Sequence, residues 1–191
     1  MTTIAAAVKD GMIAIAADSL VRFGSHKEPP GYTRSSSKII KFGSTWMGTT
    51  GPAVFDNILS DYMGSRKKLP PLENVDQIFR FWLKFHTALK EKYFINPDED
   101  EDDSFESSQM SMLLANPKGI FGVSYDRRVI EYTRFWSIGS GSSYAMGAMY
   151  SLFEQEGKSA ADIALGGVQA GAEFHSGSAP PFQVELIKLQ H

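Results

Sequence analysis

The sequence predicts an α+β fold in which two sheets stack between layers of helices. Three observations predict it. Apolar runs of strand length come in groups of four, then three, then one, and a pair of helical segments separates each group from the next. The first two runs are apolar at nearly every position, so both faces of that hairpin need cover. No repeat of fixed period and no linker interrupts the 191 residues, and the chain reads as one domain, 1–191.

The elements follow in order. "TTIAAAV" and "MIAIAAD" flank Asp10-Gly11, the signature of a tight β-hairpin. From Leu20 to Ser37 the chain turns polar around Pro29-Pro30-Gly31, which predicts a long loop. "KIIKFG" and "TWMGTT" form a second hairpin. Gly51-Pro52 breaks it, and Pro52 suits the first turn of a helix because its missing N–H costs nothing there. Val54, Phe55, Ile58, Leu59, Tyr62 and Met63 then recur at helical spacing. After the basic turn "RKKLPP", Val75, Ile78, Phe79, Trp82, Phe85 and Leu89 give a second helix a broad apolar face. "NPDEDEDDSFES", with the acidic loop 98–106, reads as a solvated segment; an acidic rim for a basic partner or a cation is the other reading. "QMSMLLAN", "IFGVSYD" and "VIEYTRFWSIGSG" are three strands. Helices follow from about Ser142 and near Ser159, and "FQVELIKL" alternates as a half-buried strand.

Composition narrows the function classes. Hydrophobic residues make up 42% of the chain, enough for a sizeable core. A net charge of -3 and a pI near 5.8 offer no broad electrostatic attraction to nucleic acid or an anionic membrane. The absence of cysteine removes disulfides, thiolate nucleophiles and cysteine zinc sites together. No apolar run reaches the ~18 residues of a membrane span, and no secretory signal pattern opens the chain. A cytoplasmic enzyme or assembly subunit is the expectation.

A nucleophile must then be Ser, Thr, Lys, Asp or Glu. The GxSxG elbow is absent, since "GSGSS" at 139–143 has the wrong spacing. "GSGSSYAMG" is only loosely like a phosphate loop and lacks its lysine. His26, His86, His175 and His191 show no metal-ligand spacing. His86 lies within a helix and is expected at the surface or an interface. Thr2 stands apart. Trimming of Met1 would leave its α-amine, with a pKa of roughly 7.7–8, beside its own hydroxyl, a nucleophile and base on one residue. Asp18 closes the second strand and Lys38 opens the third; paired near that amine they would orient and activate the hydroxyl. Each also has a plain reading, Asp18 as a turn cap and Lys38 as a surface residue. Thr50-Gly51, at a strand-to-helix junction, can offer a backbone N–H to an oxyanion.

Together these pieces resemble the proteasome β-subunit family of N-terminal-nucleophile hydrolases. "MTTIAAAVKDGMIAIAADS", "KIIKFG", "GTTGPAVFD" and "SIGSGSSYAMGA" stand in that family's order and spacing, and the element order matches along nearly the whole chain. The chain is similar both to HslV-like peptidases and to other small bacterial proteasome homologues. The resemblance implies a four-layer αββα sandwich, the Ntn-hydrolase fold. It implies homo-hexameric or homo-heptameric rings stacked in pairs around polypeptide substrates, with an ATPase unfoldase as a conceivable partner and neither nucleic acid nor membrane. It makes Thr2 the nucleophile, Asp18 and Lys38 its charged pair, the Gly51 N–H the oxyanion donor, and Ser140 and Ser178 the serines near the amine. Ser19, Val21, Arg22, Ile40, Thr49 and Ala53 would bind substrate.

Three positions depart from the family pattern. His175 stands where most members carry an aspartate, and could orient Ser140 or the amine or face an interface. Arg22 replaces a threonine, and Pro52 a second glycine. No cofactor is required on this reading. A structural monovalent cation, Na+ or K+, would sit on the backbone carbonyls of Ala172, His175 and Ser178. The small and apolar pocket lining predicts an apolar side chain before the scissile bond. A non-catalytic ring subunit and a small-molecule amidase of the same superfamily are the competing readings.

Overall fold

The computed structural model describes residues 2–34, 37–96 and 105–190. Met1, His191 and most of the acidic loop lie outside the described residues. Strands β1 (Ile4–Lys9), β2 (Met12–Asp18), β10 (Phe135–Ile138) and β11 (Phe182–Lys188) form one antiparallel sheet in the order β10-β1-β2-β11. Strands β5 (Ile39–Phe42), β6 (Thr45–Thr50), β7 (Ser111–Asn116), β8 (Gly119–Val123) and β9 (Val129–Tyr132) form a second in sequence order. Helices α1 (Val54–Gly64) and α2 (Val75–Glu91) cover the second sheet. Helices α3 (Ser142–Phe153) and α4 (Ala160–Phe174) cover the first.

The period of two in β1 and β2 explains the stacking. Ile4, Ala6, Ile13, Ile15 and Ala17 face the second sheet, where they meet Ile39, Leu113, Ala115 and Ile120. Ala5, Ala7, Ala14 and Ala16 face the other way, onto Met149, Ile163, Ala164 and Val168 of α3 and α4. Branched residues fill the space between the sheets, and alanines let α4 lie close. Both faces of the first hairpin are buried, as the unbroken apolar runs predict. The largest side chains gather in the outer layer, where Phe55, Leu59, Trp82 and Phe85 pack on Met112, Leu114 and Phe121.

The structure corrects the sequence reading at four places. The predicted loop 20–37 contains a two-stranded ribbon, β3 (Val21–Phe23) with β4 (His26–Glu28), and a 3-10 turn at Pro30–Tyr32. "VIEYTRFWSIGSG" is two strands, not one. Between β9 and β10 the chain leaves the edge of one sheet for the edge of the other, and neither Gly nor Pro marks the crossing. Pro52 lies just before α1 rather than in its first turn; Ala53 is the cap, and the Pro52 carbonyl accepts the Phe55 N–H at 3.1 Å.

His86 is not a surface residue. It is buried at the inner face of α2, with Nδ1 3.1 Å from the Ser108 hydroxyl and Nε2 3.1 Å from a Glu106 carboxylate oxygen. Burial lowers its pKa, against the opposing pull of Glu106. It ties the segment after the acidic loop to the helix layer.

Candidate active site

Thr2 and Thr3 lead into β1 and are both buried. The Thr2 backbone N–H donates to the Ser140 hydroxyl at 3.3 Å. Its carbonyl accepts the Gly141 N–H at 3.4 Å. The "GSG" at 139–141 is therefore a backbone cradle. Gly139 sits at φ 97°, a conformation that favours glycine, and a Cβ there would collide with the Thr2 carbonyl. Gly139→Ala is expected to lower the thermal midpoint by about 5 °C, the scale of an overpacked and strained site. Scanning calorimetry reads it, and an unchanged midpoint would remove the cradle from the account.

Asp18, at the end of β2, is 1% exposed. One carboxylate oxygen accepts the Thr3 N–H at 2.9 Å; the other accepts those of Leu20 at 3.0 Å and Ala179 at 3.2 Å. Lys38 Nζ lies 3.0 Å from both oxygens. This satisfied carboxylate joins the start of β1, the end of β2, the entry to β5 and the loop before β11. Of the plain readings, a turn cap captures only the Leu20 bond, and a surface lysine does not fit a side chain 8% exposed. Burial lowers the Lys38 pKa, with Asp18 and then Asp56 pulling the other way.

Gly51 follows β6 at φ 122°, and a Cβ there would meet the Gln109 carbonyl at 2.8 Å and the Phe55 ring at 3.2 Å. It lines a shallow cleft of about 220 Å³ with Thr50, Gln109 and Tyr125. A larger cleft of about 350 Å³ runs from Thr50 along Trp136 to Gly139 and Ser142. The larger cleft shares Gly139 with the Thr2 cradle, and the two clefts share Thr50, Ser111 and Tyr125.

The remaining predicted residues divide. Ser19 is buried, and its N–H donates to the Ala179 carbonyl at 3.2 Å. Val21 and Arg22 lie half-buried on β3, and the Arg22 guanidinium donates to the Ser176 carbonyl at 3.0 Å, so the cation grips the loop after α4. Ser178 reaches Thr3 rather than Thr2, with the two hydroxyl oxygens 2.7 Å apart. His175 Nδ1 accepts the Gly177 N–H at 3.1 Å and lies 3.5 Å from the Ser140 hydroxyl, which places the ring one side chain away from the Thr2 nitrogen. Ile40 on β5 pairs with Met47 on β6, and Thr49 follows on the same face, towards α1, where Ala53 caps the helix. Ala172 and His175 end α4, where free helix carbonyls and the dipole suit a cation. The His175 carbonyl already accepts the Ser178 N–H at 3.1 Å, leaving one lone pair. Among the described residues, no group of three His, Asp or Glu side chains could hold a metal ion.

Two residues escaped the sequence reading. Thr3 anchors the strand entry through Ser178, and Gly141 and Gly171 have no room for a Cβ against its hydroxyl. Asp56, in the first turn of α1, turns back to accept the Thr49 hydroxyl at 2.6 Å. Burial raises its pKa, while the Thr49 bond and then the Lys38 charge pull it down. The available signal was its place three residues after Ala53, on the same side of the helix.

Comparison with known proteins places this arrangement. No family model and no curated protein matches the chain. Among solved structures it is similar to Thiobacillus denitrificans BPH, a bacterial proteasome homologue, at 43% identity over 98% of each chain with a TM-score of 0.94. The same protein in complex with epoxomicin aligns at 42% identity over 99% of this chain and 100% of that one, with a TM-score of 0.93. The chain belongs to the proteasome β-like family of N-terminal-nucleophile hydrolases. The family's αββα layering is the one described above, and it extends to HslV from Trypanosoma brucei. That structure shares 16% identity over 97% of this chain and 99% of its own, with a TM-score of 0.67, a likeness of fold. Among the described residues of this proteasome-like chain, no helix is long and apolar enough to cross a membrane.

Proposed function

We propose that this chain is the subunit of a cytoplasmic, self-compartmentalising threonine endopeptidase, one domain per subunit, assembled as stacked hexameric or heptameric rings. The observation that carries the reading is the convergence of Asp18, Lys38 and Ser140 on the first two threonines, in a chain 42% identical to a protein solved with epoxomicin.

In this mechanism Met1 is removed and Thr2 gains a free amine. The amine takes the hydroxyl proton as Thr2 Oγ bonds to the peptide carbonyl carbon. The Gly51 N–H stabilises the oxyanion. The peptide C–N bond then breaks, and the amine returns its proton to the leaving nitrogen. Water attacks the remaining ester, giving the carboxylic acid and restoring the hydroxyl. Lys38, held on Asp18, stabilises negative charge near Thr2, and Ser140 steadies the amine. Substrate lies extended beside Ser19–Arg22 and Thr49–Gly51, paired through its backbone. A monovalent cation on the carbonyls after α4 would brace the loop that carries Ala179 to Asp18. An ATPase unfoldase would feed folded substrates.

The test is hydrolysis of fluorescently labelled, denatured casein by the full-length protein, with negative-stain microscopy of the same sample. The reading predicts epoxomicin-sensitive degradation by ring-shaped particles. Cleavage of small amides alone by dispersed monomers would replace it with the amidase reading. Rings without any hydrolysis would replace it with the scaffold reading.

A further inference from the structure

Gly51 supplies the oxyanion donor of the proposed reaction, yet it lies just past the ladder of its own sheet. The pairing of β6 with β7 ends at Thr50 opposite Ser111. The groups packed closest on Gly51 are the Phe55 ring and the Gln109 carbonyl, the two that a Cβ there would strike. Gln109 also lines the shallow cleft that Gly51 borders. The position of the Gln109 carbonyl therefore limits where the Gly51 peptide can lie.

Gln109 itself holds an uncommon backbone conformation. Its φ is 54°, in the left-handed region that a side chain disfavours, and such a residue persists only where its surroundings enforce it. The Gln109 N–H donates to the buried Ser107 hydroxyl at 2.9 Å. Its side-chain amide donates to the Asn96 carbonyl. The next residue back, Ser108, is 1% exposed, and its N–H donates to the Tyr125 carbonyl at 2.8 Å.

The Ser108 hydroxyl meets two side chains from the inner face of α2. Trp82 Nε1–H donates to it at 3.3 Å, and His86 Nδ1 lies 3.1 Å away. On the other side of the ring, Nε2 lies 3.1 Å from a Glu106 carboxylate oxygen. A carboxylate only accepts, so Nε2 carries the hydrogen; in a neutral ring Nδ1 then accepts the Ser108 proton. The lowered pKa of His86 agrees with the neutral ring. Lys90 holds the Glu106 carboxylate in turn, and Arg127 donates to the Glu106 carbonyl. An aliphatic side chain at 86 would fill the helix layer as well. A histidine bonded at both nitrogens fixes direction in addition to contact.

We propose that His86 is a positioning residue for the oxyanion donor: through Ser108 it fixes the turn at 107–109, and the Gln109 carbonyl fixes Gly51. The inference rests on the endopeptidase reading above. It assigns the buried relay on α2 a part in the rate of the chemical step as well as in the packing of the segment after the acidic loop.

The experiment compares wild type with His86→Leu, His86→Asn and Ser107→Ala. Asparagine can still accept the Ser108 proton through Oδ1. Ser107→Ala leaves the His86 relay in place and removes the acceptor of the Gln109 N–H. Each protein is assayed for kcat and KM on one fluorogenic peptide. Each is also titrated with the peptide aldehyde of the same sequence. Its adduct forms a bond from Thr2 Oγ to the aldehyde carbon, and the hydroxyl proton passes to the oxygen that then occupies the oxyanion position. Thermal melts report folding, and epoxomicin labelling of Thr2 reports the nucleophile. His86→Leu and Ser107→Ala are expected to lose about tenfold in kcat and about tenfold in aldehyde affinity, less than the ~10²–10³ of deleting a donor outright. KM should stay within about twofold, and His86→Asn within about threefold of wild type in kcat. Unchanged kcat and aldehyde affinity in either folded variant would overturn the inference. So would a loss carried by KM alone, or one that only follows a loss of folded or labelled protein. Each of these leaves the peptidase reading standing. Wild type that neither labels at Thr2 nor cleaves the peptide would overturn both.

Discussion

Thr2→Ala is expected to abolish peptide hydrolysis, with kcat falling by at least ~10⁴-fold, the scale of removing a covalent nucleophile. Assembly should survive. The substitution keeps the bonds that the Thr2 backbone makes with Ser140 and Gly141 and those that the Thr3 N–H and hydroxyl make with Asp18 and Ser178. Thr2→Ser keeps a hydroxyl beside the amine and should retain measurable turnover. Steady-state assays, with particle size checked by light scattering, separate chemistry from assembly. Turnover by Thr2→Ala within tenfold of wild type would remove the residue from the mechanism.

The largest effect on stability is expected from Asp18→Ala. It strands the Lys38 ammonium in a buried site and leaves the N–H groups of Thr3, Leu20 and Ala179 without their acceptor. Breaking one side of a buried pair costs about 3–5 kcal/mol, so the thermal midpoint should fall by roughly 10 °C. Lys38→Met should be milder, because the Asp18 carboxylate keeps its backbone donors and the aliphatic stem is preserved. The sign of the pH dependence follows from the lysine. Burial holds its pKa below the ordinary 10.5, so between the two values the unfolded chain binds more protons than the folded one. Its contribution to stability therefore grows as pH rises through that window and is complete above 10.5. Thermal melts of wild type and Lys38→Met across alkaline pH check this, and parallel profiles would contradict it.

The layers were legible in the sequence where one local pattern decides them. The unbroken apolar runs of β1 and β2 require cover on both sides, and the structure supplies sheet and helix. Ser159 opens a helix through a capping box with Asp162, a purely local signal. Legibility failed where the deciding contact is remote. The crossing between β9 and β10 has no breaker residue because the strands are separated by which sheet each joins. His86 sits on a helix face whose burial depends on Ser108 and Glu106, in a segment some 20 residues later. The Asp18–Lys38 pair was legible as a possibility from its residues, and gained weight only through the resemblance. Asp56 was passed over because the bond that reveals it joins a strand to a helix.

The central claim is that Thr2, freed of Met1, is the reacting residue, and intact mass spectrometry with and without epoxomicin tests it most directly. The account predicts a mass lacking Met1, one added inhibitor per subunit, a site of attachment on Thr2 after proteolytic mapping, and no adduct on Thr2→Ala. Protein from its own host that retains Met1 and takes up no inhibitor, or an adduct that persists in Thr2→Ala, would contradict it.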